Sequence, residues 1–271
     1  MYNYEILIKS FIRFQSLRRL VDSIERYYPG VTIRIVDDSP NDKQSAGFTP
    51  HNLRLILQEE DRFRHSLSKK DHIHYYKLPF DVGLSAGRNY LLRHCETKYF
   101  VLMEDDFEIS QETDLARLER VISSREDIVI AAGGTYENER RYRKQIGEMR
   151  QIEDALIRYT YGNRAPKEVV GGLKCVPCRF TQNFFMGNLE LFKKYNIKWE
   201  EKIKITREHA YFFFCIPKEL KIYYVPHVWI IHRHSKPPGY QKFRRRSLRQ
   251  IPFREVSGLS RVPVKDKRIY R

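Results

Sequence analysis

Tyr4-Glu5-Ile6-Leu7-Ile8-Lys9, then Phe14, Leu17, Leu20, Val21, Ile24 and Tyr28 at helical spacing, then Val31-Thr32-Ile33-Arg34-Ile35-Val36-Asp37-Asp38-Ser39: this stretch decides the fold. The short apolar run reads as a buried strand. Apolar residues three and four apart mark one face of a helix, and the β-branched run after Pro29-Gly30 marks a second strand. Strand, helix and strand in such close succession form a βαβ unit, which implies a parallel strand pair.

Outward from that unit the pattern repeats. His72 to Lys77, Tyr99 to Met103 and Ile128 to Ala132 read as strands, and Gly83 to His94 and Asp114 to Ser123 as helices. The expectation is a single α/β Rossmann-like domain around a mostly parallel, doubly wound sheet. After Gly133-Gly134 a charged stretch runs from Glu137 to Arg150. Strands are then expected near Gln151 to Tyr159 and Leu173 to Arg179, helices over Leu189 to Tyr195 and His209 to Ile216, and extended chain over Lys221 to Val225 and Val228 to Ile231. No Pro/Gly/Ser-rich linker divides the 271 residues, so residues 1–235 are read as one domain, with halves of about 1–135 and 136–235, and 236–271 as a tail.

The formal charge of +16 is concentrated at that tail, where His232 to Arg271 carry 13 Lys/Arg against 2 Asp/Glu. Such a segment suits an anionic surface: lipid headgroups, a phosphate-bearing acceptor or nucleic acid. With 41% hydrophobic residues and a mean hydropathy of -0.60, the chain reads as soluble with a sizeable core. No run reaches the ~18 apolar residues of a spanning helix, and Met1-Tyr2-Asn3-Tyr4-Glu5 does not open a signal peptide. The expected location is cytoplasmic, peripheral to a membrane through the tail, or the Golgi lumen if an N-terminal anchor has been removed. Cys95, Cys175, Cys178 and Cys215 are too few for a disulfide framework, and the lone Cys175-Val176-Pro177-Cys178 has no second pair to complete a metal site.

Ligands of open α/β sheets sit at the carboxyl ends of the strands. Three clusters fall there: Asp37-Asp38, the block Asp81-Val82-Gly83-Leu84-Ser85-Ala86-Gly87-Arg88-Asn89, and Glu104-Asp105-Asp106. One acidic pair alone serves as readily as a helix cap or solvated turn; three on one sheet edge suit a hard cation shared with substrate phosphates, Mn²⁺ or Mg²⁺. Neither a Walker loop nor GxGxxG is present to cradle phosphate.

Ile33 to Ser39, Leu78 to Asn89 and Met103-Glu104-Asp105-Asp106-Phe107 together resemble the family 2 glycosyltransferases, and more closely the related β-1,4-N-acetylgalactosaminyltransferases of the ganglioside-synthase type. The resemblance runs from about Tyr4 to Lys236. It implies a GT-A fold with a smaller acceptor-side sheet region, and a metal-dependent, inverting transfer of a hexose or N-acetylhexosamine from a UDP-sugar to a glycan or lipid-linked glycan. By the same resemblance Asp37, Asp38, Asp81, Arg88, Asn89, Glu104 and Asp105 line the nucleotide sugar, and Asp106, with His232 and then His234, holds the metal.

Phe184-Phe185-Met186-Gly187-Asn188 and Arg207-Glu208-His209-Ala210-Tyr211 look like the family's acceptor side and the helix bearing its base. An inverting transfer needs a group to take the acceptor proton; Glu208 is the first choice and His209 its rival. Arg88, Arg233 and Lys236 are candidates to neutralise the departing diphosphate. Two other readings stand beside this one. A nucleotidyltransferase would use the same acids, but Lys9-Ser10-Phe11-Ile12-Arg13 replaces its glycine-rich loop. A basic nucleic-acid-binding module is disfavoured, because the acids at the sheet edge would repel phosphate.

Overall fold

The computed structural model describes residues 2–41, 47–153, 155–162, 164–205, 207–243, 255–256 and 267–269. The βαβ unit forms as read: β1 (Tyr4–Ser10), α1 (Phe14–Tyr27) and β2 (Ile33–Asp37). Phe14, Leu17, Leu20, Val21 and Ile24 of α1 are all buried, as their spacing requires. Then follow α2 (Pro50–Leu67), β3 (Ile73–Lys77), α3 (Leu84–His94), β4 (Tyr99–Glu104), β5 (Phe107–Glu108), α4 (Leu115–Ile122) and β6 (Ile128–Glu137). The second half comprises β7 (Arg141–Arg143), β8 (Gly147–Ile152), β9 (Ala155–Tyr161), β10 (Glu168–Val170), β11 (Leu173–Cys178), β12 (Phe185–Asn188), α5 (Leu189–Lys194), α6 (Glu208–Cys215), β13 (Lys221–His232) and β14 (Lys267–Ile269).

The central sheet has the order β10-β11-β13-β6-β12-β4-β1-β2-β3. β1 to β4 pair in parallel, β13 runs parallel to β6, and β12 is wedged antiparallel between β4 and β6. β8, β9 and β14 form a separate small sheet. Because strand side chains alternate, Ile6, Ile8, Ile33, Ile35, Val101 and Met103 enter one core with α1 and α4. Leu7, Val36, Phe100 and Leu102 enter the other with α5 and α6. Helices therefore cover both faces, which is the doubly wound arrangement expected.

Four features depart from the reading. Helix α2, capped by the Thr49 hydroxyl on the Asn52 amide and opened by Pro50, fills the crossover between β2 and β3 that the sequence left blank. The strand expected near Gln151 to Tyr159 is the hairpin of β8 and β9, which turns at Glu153 with φ 52°. Third, β13 is continuous but bulged. Tyr224 lies opposite Ala132 and Trp229 opposite Gly134, so β13 carries extra residues there, with His227 at φ 67°. Finally, the folded domain does not stop at 235, since Phe243 is buried among Phe11, Phe48 and Phe80. Of the basic tail, residues 244–254, 257–266 and 270–271 lie outside the described residues.

Cys175 and Cys178 are buried free thiols on β11, one in each core. Among the described residues no helix is long and apolar enough to cross a membrane.

Candidate active site

The register of the parallel strands brings the acids together: Ser10 ends β1 opposite Asp37 of β2, and Lys9 lies opposite Glu104 of β4. Each acid then meets a cation. Lys9 Nζ pairs with Asp38, whose other oxygen accepts the Gly83 amide at 2.9 Å. Asp37 accepts from Ser39 N, Ser39 Oγ, Tyr75 and Lys77. It is fully buried, its carboxylate held by these partners at the sheet edge. Asp38 does face a cavity, of about 30 Å³, with Lys9, Phe11, Arg13, Asp81, Gly83, Tyr240 and Phe243 around it.

In the triplet, Glu104 ends β4, and Asp105 and Asp106 form the turn that follows it. Asp105 has no exposed surface and accepts from Ser10 Oγ at 2.8 Å, so it anchors the turn after β1. Arg13, which the sequence reading passed over, spans the pair, 2.5 Å from each carboxylate. Burial pushes Asp105 up to about 6 against the pull of Arg13. At Asp106 burial also raises the pKa, but the His232 and Arg13 contacts outweigh it and the net shift is downward.

Asp106, His232 and His234 each offer a ligand atom, all within 4.8 Å of one another. Asp106 Oδ1 is buried without a hydrogen-bond donor, although His232 Nε2 stands 3.3 Å away. An orphaned carboxylate oxygen beside two imidazoles is a donor set that fits Mn²⁺, Mg²⁺ being served by the oxygen alone. Glu137, also unforeseen, contacts both histidines. Burial alone would lower the His232 pKa, yet the neighbouring carboxylates of Asp106 and Glu137 raise it to about 10.

Glu104 accepts from Asn183 Nδ2 at 2.8 Å, and Asn183 Oδ1 meets His209 Nδ1 at 2.7 Å. Arg88 lies over the Trp199 ring, 3.8 Å from Glu104 and 3.4 Å from Glu208. A cavity of about 150 Å³ joins Glu104, Asn183 and His209 to Gln182, Glu137 and His232. Burial, and then the charge of Arg88, lower the His209 pKa to about 3.

The rest of the glycine-containing block is scaffold. Gly83, at φ 97°, packs so closely that a Cβ would stand 2.7 Å from Lys204 Cβ. Leu84 N and Ser85 Oγ bond the carbonyls of Lys204 and Ile203. Asn89 exchanges hydrogen bonds with the backbone of Trp199 and reaches Glu201, so it ties down the loop before α6 and does not line the cavity at Asp38. Asp81, at φ 56°, lines that cavity, and its carbonyl accepts from Lys204 Nζ. Arg233 pairs with Glu108 and Glu139.

The same architecture occurs in the crystal structure of GalNAc-T7 with UDP, GalNAc and Mn²⁺ (TM-score 0.58, 12% identity, 89% of this chain and 47% of that one). It occurs too in S. aureus TarS 1-349 in complex with UDP-GlcNAc (TM-score 0.55, 13% identity, 88% and 60%). In sequence the chain is 30% identical over 200 residues to Beta-1,4 N-acetylgalactosaminyltransferase 1 of Mus musculus, covering 70% of this chain and 32% of that protein. It is 25% identical over 259 residues to Beta-1,4 N-acetylgalactosaminyltransferase 2 of Mus musculus, covering 92% and 45%. The chain thus spans less than half the length of these relatives. The family model Glycosyl transferase family 2 matches residues 5–185, from β1 through the acid clusters to the start of β12. With the GT-A architecture around those acids, this match shows that the chain belongs to glycosyl transferase family 2.

Proposed function

We propose that this chain is a metal-dependent, inverting transferase that moves a hexose or N-acetylhexosamine from a UDP-sugar to a hydroxyl of a glycan or glycolipid. The observation that carries the reading is the convergence of Asp106, His232 and His234 next to the cavity at Asp38. The similarity to N-acetylgalactosaminyltransferases and the UDP and Mn²⁺ of a structural neighbour support it.

Asp106, His232 and His234 would hold Mn²⁺ or Mg²⁺, which when bound supplies Lewis-acid neutralisation of diphosphate charge. Lys9, Arg13 and Arg88 add fixed positive charge along the same edge. Phe11 and Asp38, which line the small cavity beside Lys9 and Arg13, would meet the nucleoside. The acceptor oxygen bonds to the anomeric carbon as the bond to the diphosphate oxygen breaks, and Glu208 takes the acceptor proton. His209, held near pKa 3, is a poor proton acceptor at neutral pH and serves better as a neutral hydrogen-bonding partner of Asn183.

Calorimetric titration of UDP and UDP-sugars with and without Mn²⁺ tests the reading. The expected pattern is cation-dependent UDP binding that Asp106→Ala abolishes. Glu208→Gln retains binding but loses about 10²- to 10⁴-fold in kcat. UDP binding that ignores Mn²⁺ and survives Asp106→Ala refutes the metal assignment, and full turnover by Glu208→Gln removes the base.

A further inference from the structure

The bulge in β13 determines which residue faces His232. Beyond it His232 lies opposite Glu137, the last residue of β6; without the extra residues Trp229 would occupy that place. Glu137 Oε1 stands 3.3 Å from His232 Nδ1, and its Oε2 stands 2.5 Å from His234 Nε2. The two rings are adjacent, with centroids 3.9 Å apart. Thr135 Oγ1 donates to Glu137 Oε1 at 2.6 Å, and its own oxygen accepts from Gln182 Nε2 at 2.6 Å. The Gln182 amide is in turn oriented by the Gln145 backbone N–H donating to its Oε1 at 3.2 Å. Every hydrogen in this chain of contacts therefore has one direction, and it ends on the carboxylate.

We infer that Glu137 is a positioning residue that fixes both histidines for cation binding. A carboxylate only accepts, so the ring nitrogens that touch it are the ones that carry hydrogen. The nitrogens turned away from it, Nε2 of His232 and Nδ1 of His234, are the ones an ion could take, and His232 Nε2 stands beside Asp106, where a cation would displace the hydrogen the ring presents to that carboxylate. One side chain thus orients two neighbouring rings. Outer partners of this kind orient imidazole ligands and raise their basicity, and their loss weakens metal binding by about 10- to 100-fold. The assignment rests on the metal-site reading above and adds a residue to it.

Glu137→Gln is the informative variant because it keeps the shape. Its carboxamide accepts through one atom only, and its NH₂ donates to the other ring, turning that ring's hydrogen onto the coordinating nitrogen. Mn²⁺ titration of the wild type, Glu137→Gln, Thr135→Val and Asp106→Ala is expected to give about 10- to 100-fold weaker binding for Glu137→Gln and a smaller loss for Thr135→Val. Electron spin echo spectra of bound Mn²⁺ should show nitrogen couplings from two imidazoles in the wild type and fewer in Glu137→Gln, with the circular dichroism of the folded protein in EDTA unchanged. Unaltered Mn²⁺ affinity and couplings in Glu137→Gln, with binding lost in Asp106→Ala, overturn the role of Glu137 alone. A wild type that binds no Mn²⁺ overturns the metal site and this assignment with it.

Discussion

Arg13→Met isolates the electrostatic centre of the site. The guanidinium is 11% exposed and stands between Asp105 and Asp106, whose side chains are 1% and 4% exposed. Removing one member of a buried ion pair costs about 3–5 kcal/mol, because the remaining charge stays in low dielectric. Methionine preserves most of the stem's packing, so the loss should be electrostatic. Its size depends on pH. Asp105 is already pushed up to about 6 with Arg13 in place, and its folded pKa rises further without it. An acid with a raised folded pKa loses stability as pH climbs from its unfolded value towards its folded one. The Arg13→Met deficit should therefore grow by up to about 1.4 kcal/mol per pH unit above 6, until Asp105 is ionised. For a chain of this size each kcal/mol moves Tm by about 2–4 °C, so a drop on the order of 10 °C at pH 8 is expected in EDTA, and less at pH 6. On the proposed metal site Mn²⁺ would replace part of the missing charge at Asp106, so it should raise Tm more in the variant than in the wild type. A deficit below about 1 kcal/mol, the range of exposed pairs, or one indifferent to both pH and Mn²⁺, would refute the argument.

The His209 pKa, lowered to about 3, makes a separate pH prediction: its stabilising contribution is complete above the unfolded value of 6.5 and is lost as pH falls towards 3. Urea denaturation between pH 7 and 5 should show this slope in the wild type and a shallower one in His209→Gln; equal slopes would sink the assignment. Gly83→Ala forces an alanine to φ 97° and against Lys204, so a loss of about 1–3 kcal/mol is expected. Because Leu84 and Ser85 hold the segment before α6, KM should rise as well; a wild-type melting curve would show that the loop yields freely.

Much of this was legible because it is local. The βαβ unit follows from spacing along α1 and from β-branched runs, and the resemblance named the three residues whose ligand atoms converge at Asp106. What was missed depends on register or on a third dimension. β12 has only four residues, too few for a periodic signal, and Gly187 fits there because a Cβ would meet the Phe100 ring at 2.3 Å. Glu137 comes opposite His232 only after a bulge that nothing in the spacing announces. Asp105 has a ligand's residue type, but it is taken up by Ser10 and Arg13, which meet it only in the fold. Asn89 and Asp37 have the residue types of ligand contacts, but their hydrogen bonds are taken up by Trp199 in one case and by Ser39, Tyr75 and Lys77 in the other.

The acids of this edge are interleaved with cations. Lys77 meets Asp37, Lys9 meets Asp38, Arg13 meets Asp105 and Asp106, and Arg88 stands between Glu104 and Glu208. Buried carboxylates without such partners would take up protons and lose their grip on a cation. With them, the oxygen that no hydrogen bond satisfies on Asp106 is Oδ1, which faces His232. On the function proposed above the interleaved cations would do a second job: a diphosphate entering this edge would meet Lys9, Arg13 and Arg88 in fixed positions, its charge met by side chains that need not reorganise. On that proposal the acids would set where an ion sits, and the bases where the leaving group does.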